Sequence, residues 1–550
     1  MELTNAQRNA LRDVALRAKE HLESIPQDTD GLVVSVVGGA NRDALIPGET
    51  ENDIDLMVEG ETLDSMLDRG FNDINASSFG VLHDDTHEEW ALARTETKPD
   101  DAHGYKGIEV ETKGVSLYDD LKRRDLRMNA MALQIQCGPP VTNAIDNEDI
   151  AQITDNKSEA IAYFIDPFKG REDIANGTIR HVSEAFTEDP IRVLRAARYV
   201  SRFERPPDVP ESMQDDVPET VPFTIAAETQ TLMRQLAPEL NRMSRDRIGE
   251  EIVKAMKQAK DPTRFWTALR DTGALAVIAP QLDRANIVPA GPKKFHREGD
   301  TFTHTMMVLK RMHELCEARD ITGNDRVRRL MMAVAHDLGK VTLADKKGGL
   351  WSDDPPRRFG GHAEKGVPVA EALAVRLGLE GDIMEAMTDG AELHMDIHDI
   401  PLEWRPSRLI EFINQHDPAE GAKRPFKATV EELIDLGNAD DEGRFQNRSV
   451  FDEDDEFRED SDAPDDAVRP VFPRHLFAER LEAAREAIAS VDGYDVMLDG
   501  LCDDHAAADV ANDELAQTLG SCEDCRTPGD WIGSKLGNRR AIMIQSVNAE

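Results

Sequence analysis

Positive charge is what this chain has least of relative to need. Against 107 aspartates and glutamates it sets 65 lysines and arginines, a formal net charge of −42. A protein that binds nucleic acid offers positive charge to phosphates. Either this chain leaves nucleic acid alone, or the acidity covers the bulk surface and the binding channel stays basic. Arginine outnumbers lysine roughly two to one, and acidic residues spread through every region rather than one tail. That composition suits a protein dissolved in very high salt, where a dense negative surface is screened and stays hydrated. A salt-loving source is expected. In such a medium counterion release adds little to RNA affinity, and shape, stacking and hydrogen bonding have to carry recognition.

Cysteine is scarce as well, with five in 550 residues, which excludes a disulfide framework and points to the cytoplasm. No stretch approaches the ~18 apolar residues of a membrane helix, and the N-terminus has no signal-peptide core. No membrane partner is expected. Residues Met1 to Ile25 alternate charged and apolar positions at helical spacing, predicting a packed amphipathic helix. The length exceeds one core, so three or more units are expected.

What is present starts at an apolar run, Leu32 to Val37, that ends in Gly38 and Gly39 and leads through Arg42 to Asp53 and Asp55. Side chains alternate along a strand, so Asp53 and Asp55 share one face with Ile54 buried behind them. Two carboxylates on one face can bind Mg²⁺. Glycines let backbone approach phosphate oxygens, and Arg42 can neutralise their charge. The chemistry that suits this set is nucleotidyl transfer.

Further motifs follow in order: Lys122 to Ala130, reading KRRDLRMNA; Ile165 to Phe168; and Glu188 to Arg198, reading EDPIRVLRAAR. With them stand FGVLHDDTHEEWALARTETK (79–98) and FWTALRDTGALAVIAP (265–280). On these motifs the chain, from about Leu32 to Arg540, resembles the class II tRNA nucleotidyltransferases, the CCA-adding enzymes, in the bacterial branch that carries a metal-dependent HD phosphohydrolase domain.

That resemblance implies an α+β fold: a small mixed-sheet nucleotidyltransferase head, then an extended all-helical neck, body, HD domain and tail. The divisions expected are an N-terminal helix (1–30), the head (31–165), a neck and body carrying a nucleotide-selecting helix (166–288), the HD domain (289–445), an acidic linker (446–470) and a helical tail (471–550). It implies tRNA 3′ ends, CTP and ATP as partners, with pyrophosphate released by a two-metal mechanism. Asp53 and Asp55 are the expected catalytic Mg²⁺ ligands, Gly38, Gly39, Arg42 and Arg124 contact triphosphate, and Asp125 and Asn129 lie where the family reads ribose. A third carboxylate usual in relatives falls at Ala91, and Arg127 replaces a usual threonine.

Selection of C and A without a template calls for side chains that read base edges. Steps of three residues drift by about 60° on a helix, so Arg192, Arg195 and Arg198 span an arc of about 120° and can form one polar wall while Leu194 packs inward. Cytosine and adenine both offer an exocyclic amino group beside a ring-nitrogen acceptor. An aspartate accepts from the first and an arginine donates to the second, so Asp189 with Arg192 admits C and A and rejects U and G. The plainer reading of these residues is a solvated helix face.

A second constellation follows: His304, His336 and Asp337 in AHDLGK, His362 in GHAEKG, His394 in AELH, and Asp440. Neutral imidazoles and carboxylates suit a catalytic divalent ion, a transition metal or Mg²⁺, with positions open to water. The order resembles the HD superfamily, whose members in the bacterial branch act on 2′,3′-cyclic and 2′-nucleotides. His313 and His398 are read as structural. Cys502, His505, Cys522 and Cys525 form two close pairs in one loop and offer the ligand set of a structural Zn²⁺ site, with unrelated surface cysteines as the alternative. Asp452 to Asp466 reads as a weakly ordered acidic linker. Two rivals stay open: a poly(A) polymerase on the same head, and a silent tRNA-binding module whose only activity is the hydrolase.

Overall fold

The computed structural model describes residues 3–49, 54–73, 80–97, 109–135, 145–155, 159–207, 219–291, 296, 298–346, 359–399 and 427–445. Asp53, the four cysteine-loop residues Cys502, His505, Cys522 and Cys525, the acidic run and the tail all lie outside them. The described residues gather into two compact units that divide at Asp283/Arg284, with Arg376–Gly378 counted in the first.

The first unit begins with α1 (Asn5–Ser24), closed at its start by a capping box between Thr4 and Gln7. Leu11, Val14, Ala15 and Ala18 fall on one face at helical spacing and are fully buried, as the N-terminal pattern predicts. That face lies on the sheet's far strands. The strands are β1 (Val33–Val37), β2 (Asp55–Glu59), β3 (Val81–His83), β4 (Glu89–Leu92), β5 (Thr95–Thr97), β6 (Glu109–Glu111), β7 (Ala132–Gln134), β8 (Ile150–Thr154) and β9 (Ala160–Ile165). Seven of them form one sheet in the order β3-β4-β2-β1-β7-β9-β8, while β5 and β6 pair apart from it. The sheet is mixed: β2 and β4 run parallel and the remaining pairs are antiparallel.

Short helices flank the sheet: α2 (Gly39–Asp43), α3 (Leu63–Asp68) and α4 (Leu117–Lys122). Leu117 and Leu121 of α4 pack with Val37, Ala132 and Ile165 into one apolar core, which fixes α4 against the middle of the sheet. Next come α5 (Gly170–Asn176), α6 (Arg192–Arg202), α7 (Ala227–Leu236), α8 (Arg245–Gln258), α9 (Thr263–Asp271), α10 (Ala274–Ile278) and α11 (Pro280–Arg284), with two-residue strands between α5 and α7 that the helical reading of this stretch did not anticipate. Helix α6 packs against α8 and α9. Ser244 stands at the N-cap of α8, though its side chain makes no capping bond.

The second unit is helical among its described residues: α12 (Thr301–Ala318), α13 (Gly323–Ala335), α14 (Gly339–Lys346), α15 (His362–Leu377), α16 (Asp382–Asp399) and α17 (Val430–Phe445). Helices α12, α13, α16 and α17 pack on one another. No helix among the described residues is long and apolar enough to cross a membrane.

Candidate functional site

In the sheet of the first unit, β1 pairs with β2 so that Val37 faces Asp55. The residue after Val37 is therefore delivered beside that carboxylate. It is Gly38, with φ +76°, in a conformation that side chains rarely adopt. A Cβ there would stand 2.9 Å from Asp55 Oδ2 and 3.8 Å from Arg124 Nη1. Only a glycine leaves this cradle open, between an exposed carboxylate and a guanidinium, and a divalent ion with phosphate fits that donor set. Gly39 opens α2 rather than extending a glycine turn, and Ile54 behind the carboxylate is half-buried, not buried. On the neighbouring strand, Ala91 pairs with Met57, so the position expected for a third carboxylate carries a methyl group.

Arg42, on α2, is 4% exposed. Its Nη1 donates to Asn129 Oδ1 (2.8 Å) and to the Tyr199 hydroxyl (3.3 Å), and its Nε to Asp43 (2.7 Å). Its guanidinium carbon sits 5.0 Å from the ring centres of both Tyr199 and Phe203. Asn129 passes the contact on, donating to Asp125 Oδ1 at 3.0 Å, and Arg195 Nε donates to Asp125 Oδ2 at 2.6 Å. Burial alone would raise the Asp125 carboxyl, but Arg195, Asn129 and Arg192 hold it well below the usual range. Arg124 is turned to Asp120, 3.0 Å away, which also takes Arg123.

Helix α6 carries Arg192, Arg195 and Arg198 of the expected selecting residues, and Asp189 lies on the turn before it. Asp189, Arg192 and Arg198 are 9%, 8% and 6% exposed, which does not suit a solvated face, while Arg195 is about one third exposed. Each has an internal partner. Asp189 pairs with Arg247 at 2.6 Å, Arg192 Nη1 donates to the Ala185 carbonyl at 2.5 Å, and Arg198 pairs with Glu251 at 2.8 Å and donates to Gln258 at 3.1 Å. Leu194 is fully buried, as the helical arc requires. Tyr199 lies against Arg198, whose guanidinium carbon is 4.4 Å from the ring centre. Burial pushes its phenol up, but Arg195, Arg198 and Arg42 outweigh it and bring it down to about 8.

Sequence reasoning missed Tyr199, Arg247 and Glu251. Tyr199 could have been found four residues after Arg195 on the same helix. Arg247 and Glu251 sit one turn apart on α8 and read as an ordinary solvated pair until α6 is packed against them.

In the second unit all six expected residues converge. His304 is on α12, His336 and Asp337 follow α13, His362 opens α15, His394 is on α16 and Asp440 on α17. All are buried. His336, His362 and His394 place Nδ1 at 2.7, 2.8 and 3.0 Å from backbone carbonyls three residues earlier, so their Nε2 atoms point inward as acceptors. Asp337 divides its carboxylate: Oδ2 faces His304 Nε2 (3.5 Å) and His336 Nε2 (3.4 Å), and Oδ1 faces His362 Nε2 (3.2 Å) and His394 Nε2 (3.7 Å). His304 Nε2 also lies 3.0 Å from Asp440.

The Nε2 atoms of His362 and His394 stand 2.9 Å apart, two lone pairs face to face, an arrangement that a cation between them relieves. The donor set therefore fits a divalent ion. Lys340, also missed from the sequence, donates to Asp337 at 2.6 Å. Burial would raise the Asp337 carboxyl, yet Lys340 and His336 hold it far below its ordinary value, and burial pushes His394 toward its neutral, ligating form. His313, read as structural, contacts Arg326 at 2.9 Å, away from this cluster.

Three family descriptions match in the order of the chain: a poly A polymerase head domain over residues 34–180, a probable RNA and SrmB-binding site of polymerase A over 222–286, and an HD domain over 301–437. A multifunctional CCA protein of Laribacter hongkongensis is 35% identical over 412 residues, 74% of this chain and 84% of that protein. The chain belongs to the multifunctional CCA protein family. A second member, from Cupriavidus metallidurans, is 34% identical over 84% of this chain and 91% of its own. Among solved structures, a Thermotoga maritima CCA-adding enzyme complexed with tRNA is similar over 100% of this chain and 93% of its own, at 16% identity and a TM-score of 0.48. The multifunctional CCA proteins are tRNA nucleotidyltransferases with an HD domain, and this chain carries both parts.

Proposed function

We propose that the chain adds or repairs the CCA end of tRNA from CTP and ATP by a two-metal mechanism, and that its HD centre hydrolyses phosphoesters of the 2′,3′-cyclic or 2′-nucleotide kind. The observation that carries the reading is the continuous chain of contacts Arg42–Asn129–Asp125–Arg195, which joins the glycine cradle of the head to the helix that bears Arg192 and follows Asp189. Phosphate grip and base selection become one rigid unit.

Divalent ions held by Asp53 and Asp55 supply Lewis acidity and charge neutralisation at the α-phosphate. The cradle at Gly38 admits phosphate oxygens, and Arg42 and Arg124 offset the charge of the triphosphate. Asp125 and Asn129 lie within reach of a ribose. Asp189 accepts from the amino group shared by cytosine and adenine while Arg192 donates to the neighbouring ring nitrogen, so uracil and guanine would set a carbonyl oxygen against an acceptor. To do this Asp189 shares or exchanges its bond with Arg247. In the HD centre the four imidazoles and the two aspartates would hold divalent metal, and Lys340, paired with Asp337, is the proposed contact for a phosphate oxygen. The cysteine loop, with Zn²⁺, is proposed as a structural clip.

The test is to supply tRNA lacking its last three nucleotides with CTP and ATP and sequence the added tail. CCA supports the reading, a run of A without need of CTP makes the chain a poly(A) polymerase, and no addition leaves only the hydrolase. Asp53→Ala and Asp55→Ala are each expected to slow addition by about 10³-fold or more, several kcal/mol of transition-state stabilisation.

A further inference from the structure

Three of the four imidazoles of the HD centre rest their outward nitrogen on a backbone carbonyl. His304 alone does not. Its Nδ1 faces the Oε1 of Glu298, 2.9 Å away though off the line along which a ring N–H donates. The same oxygen lies 2.8 Å from His296 Nδ1. Glu298's side chain is 2% exposed, and its Oε2 is buried with no partner among the described residues. Taking an ionised carboxylate out of water and leaving one oxygen unpaired is costly unless positive charge lies near. Metal on the far side of the His304 ring would supply that charge, polarising Nδ1–H toward the carboxylate.

The supporting shell is built as tightly as the ligand. A Cβ on Gly291 would stand 2.3 Å from His296 Cδ2, so glycine is required for that ring to lie where it does, T-shaped against His304 with ring centres 5.1 Å apart.

We propose that Glu298 is a positioning residue for the HD metal centre: it orients His304 through the nitrogen turned away from the metal, with His296 and Gly291 fixing Glu298 in turn. A carboxylate behind a ligating histidine strengthens metal binding, and its removal costs ~10- to 100-fold in affinity. The inference rests on the HD centre holding divalent metal, as proposed above.

The experiment uses the full chain, stripped with chelator and dialysed against Mn²⁺ alone. Asp337→Asn is measured first. If it binds as many ions as the wild type, the HD reading itself fails, independently of Glu298. If it loses ions, those ions define the HD occupancy, and Glu298→Gln is expected to keep their number but weaken them ~10- to 100-fold. The metal-free unfolding temperature and nucleotidyl transfer by the head stay as in wild type. Gly291→Ala, which displaces His296 without removing the carboxylate, should weaken the same ions by less, and serves if Glu298→Gln does not fold. Wild-type affinity in Glu298→Gln, or a fall in metal-free unfolding temperature with affinity intact, overturns the proposal. So does loss of one whole ion with the rest unweakened, because His296, Glu298 and His304, whose ligand atoms lie within 4.8 Å of one another, would then be a cation site of their own.

Discussion

Arg195 and Asp125, 70 residues apart in the chain, meet at 2.6 Å and tie α6 to the head. Asp125 is 6% exposed, so its charge is held by its neighbours and not by water. Breaking one partner of such a pair leaves a buried charge and costs about 3–5 kcal/mol. Arg195→Ala should therefore destabilise the first unit more than Asp125→Asn, which removes the charge but keeps the shape. A double-mutant cycle by denaturant unfolding is expected to give a coupling of at least ~1 kcal/mol; additivity would remove the pair from the architecture.

Arg192→Ala is expected to relax base choice far more than it slows chemistry. With the ring-nitrogen donor gone, misincorporation of UTP relative to CTP should rise by ~10²-fold or more, while the Mg²⁺ dependence of addition stays put. Competition between labelled nucleotides reads this directly, and unchanged choice would dissolve the proposed wall.

The phenol of Tyr199 should titrate about two units below its ordinary value of 10.0, at about 8. The sign follows from which form the fold favours. Three guanidiniums favour the phenolate, so the stabilising contribution is fully present above the ordinary value and is lost as pH falls through about 8. Ultraviolet titration of tyrosinate should show one early-ionising tyrosine of the five, absent in Tyr199→Phe. Stability of the wild type relative to Tyr199→Phe should grow with pH across that window.

In the very high salt that a net charge of −42 suits, the chain has little to gain from counterion release. Affinity for tRNA is expected to fall by less than ~10-fold between low and molar KCl, where a phosphate-gripping protein would lose several decades. Filter binding across a salt series checks it, and a steep slope would return recognition to electrostatics.

Where chemistry depends on residue types at short spacing, the sequence was legible. The HD residues lie in separate segments and any one histidine reads as structural, yet all of them in that order resemble the HD pattern, and the helices do bring them together. The packed face of α1 follows from Leu11, Val14, Ala15 and Ala18 in the same way. What could not be read was pairing across distance. Arg247, Glu251 and Glu298 are ordinary charged residues on their own segments. Only the packing of α8 on α6 gives Arg247 and Glu251 their partners Asp189 and Arg198, while Glu298, close to His304 in sequence, meets it only through the turn that enters α12. The expectation that the whole stretch beyond Asp166 is helical missed the two-residue strands because such pairs carry no period to detect.

Arg42 is clad by two aromatic rings and anchored at both ends of its guanidinium. Dissolved anions at about 1 M crowd exposed charge to within ~3 Å, yet they find almost no surface of this one to occupy. In the role proposed for it, supporting the triphosphate site from beneath, Arg42 carries a charge insulated from the ionic composition of the solution around it. The acidic exterior is then free to answer to solubility alone.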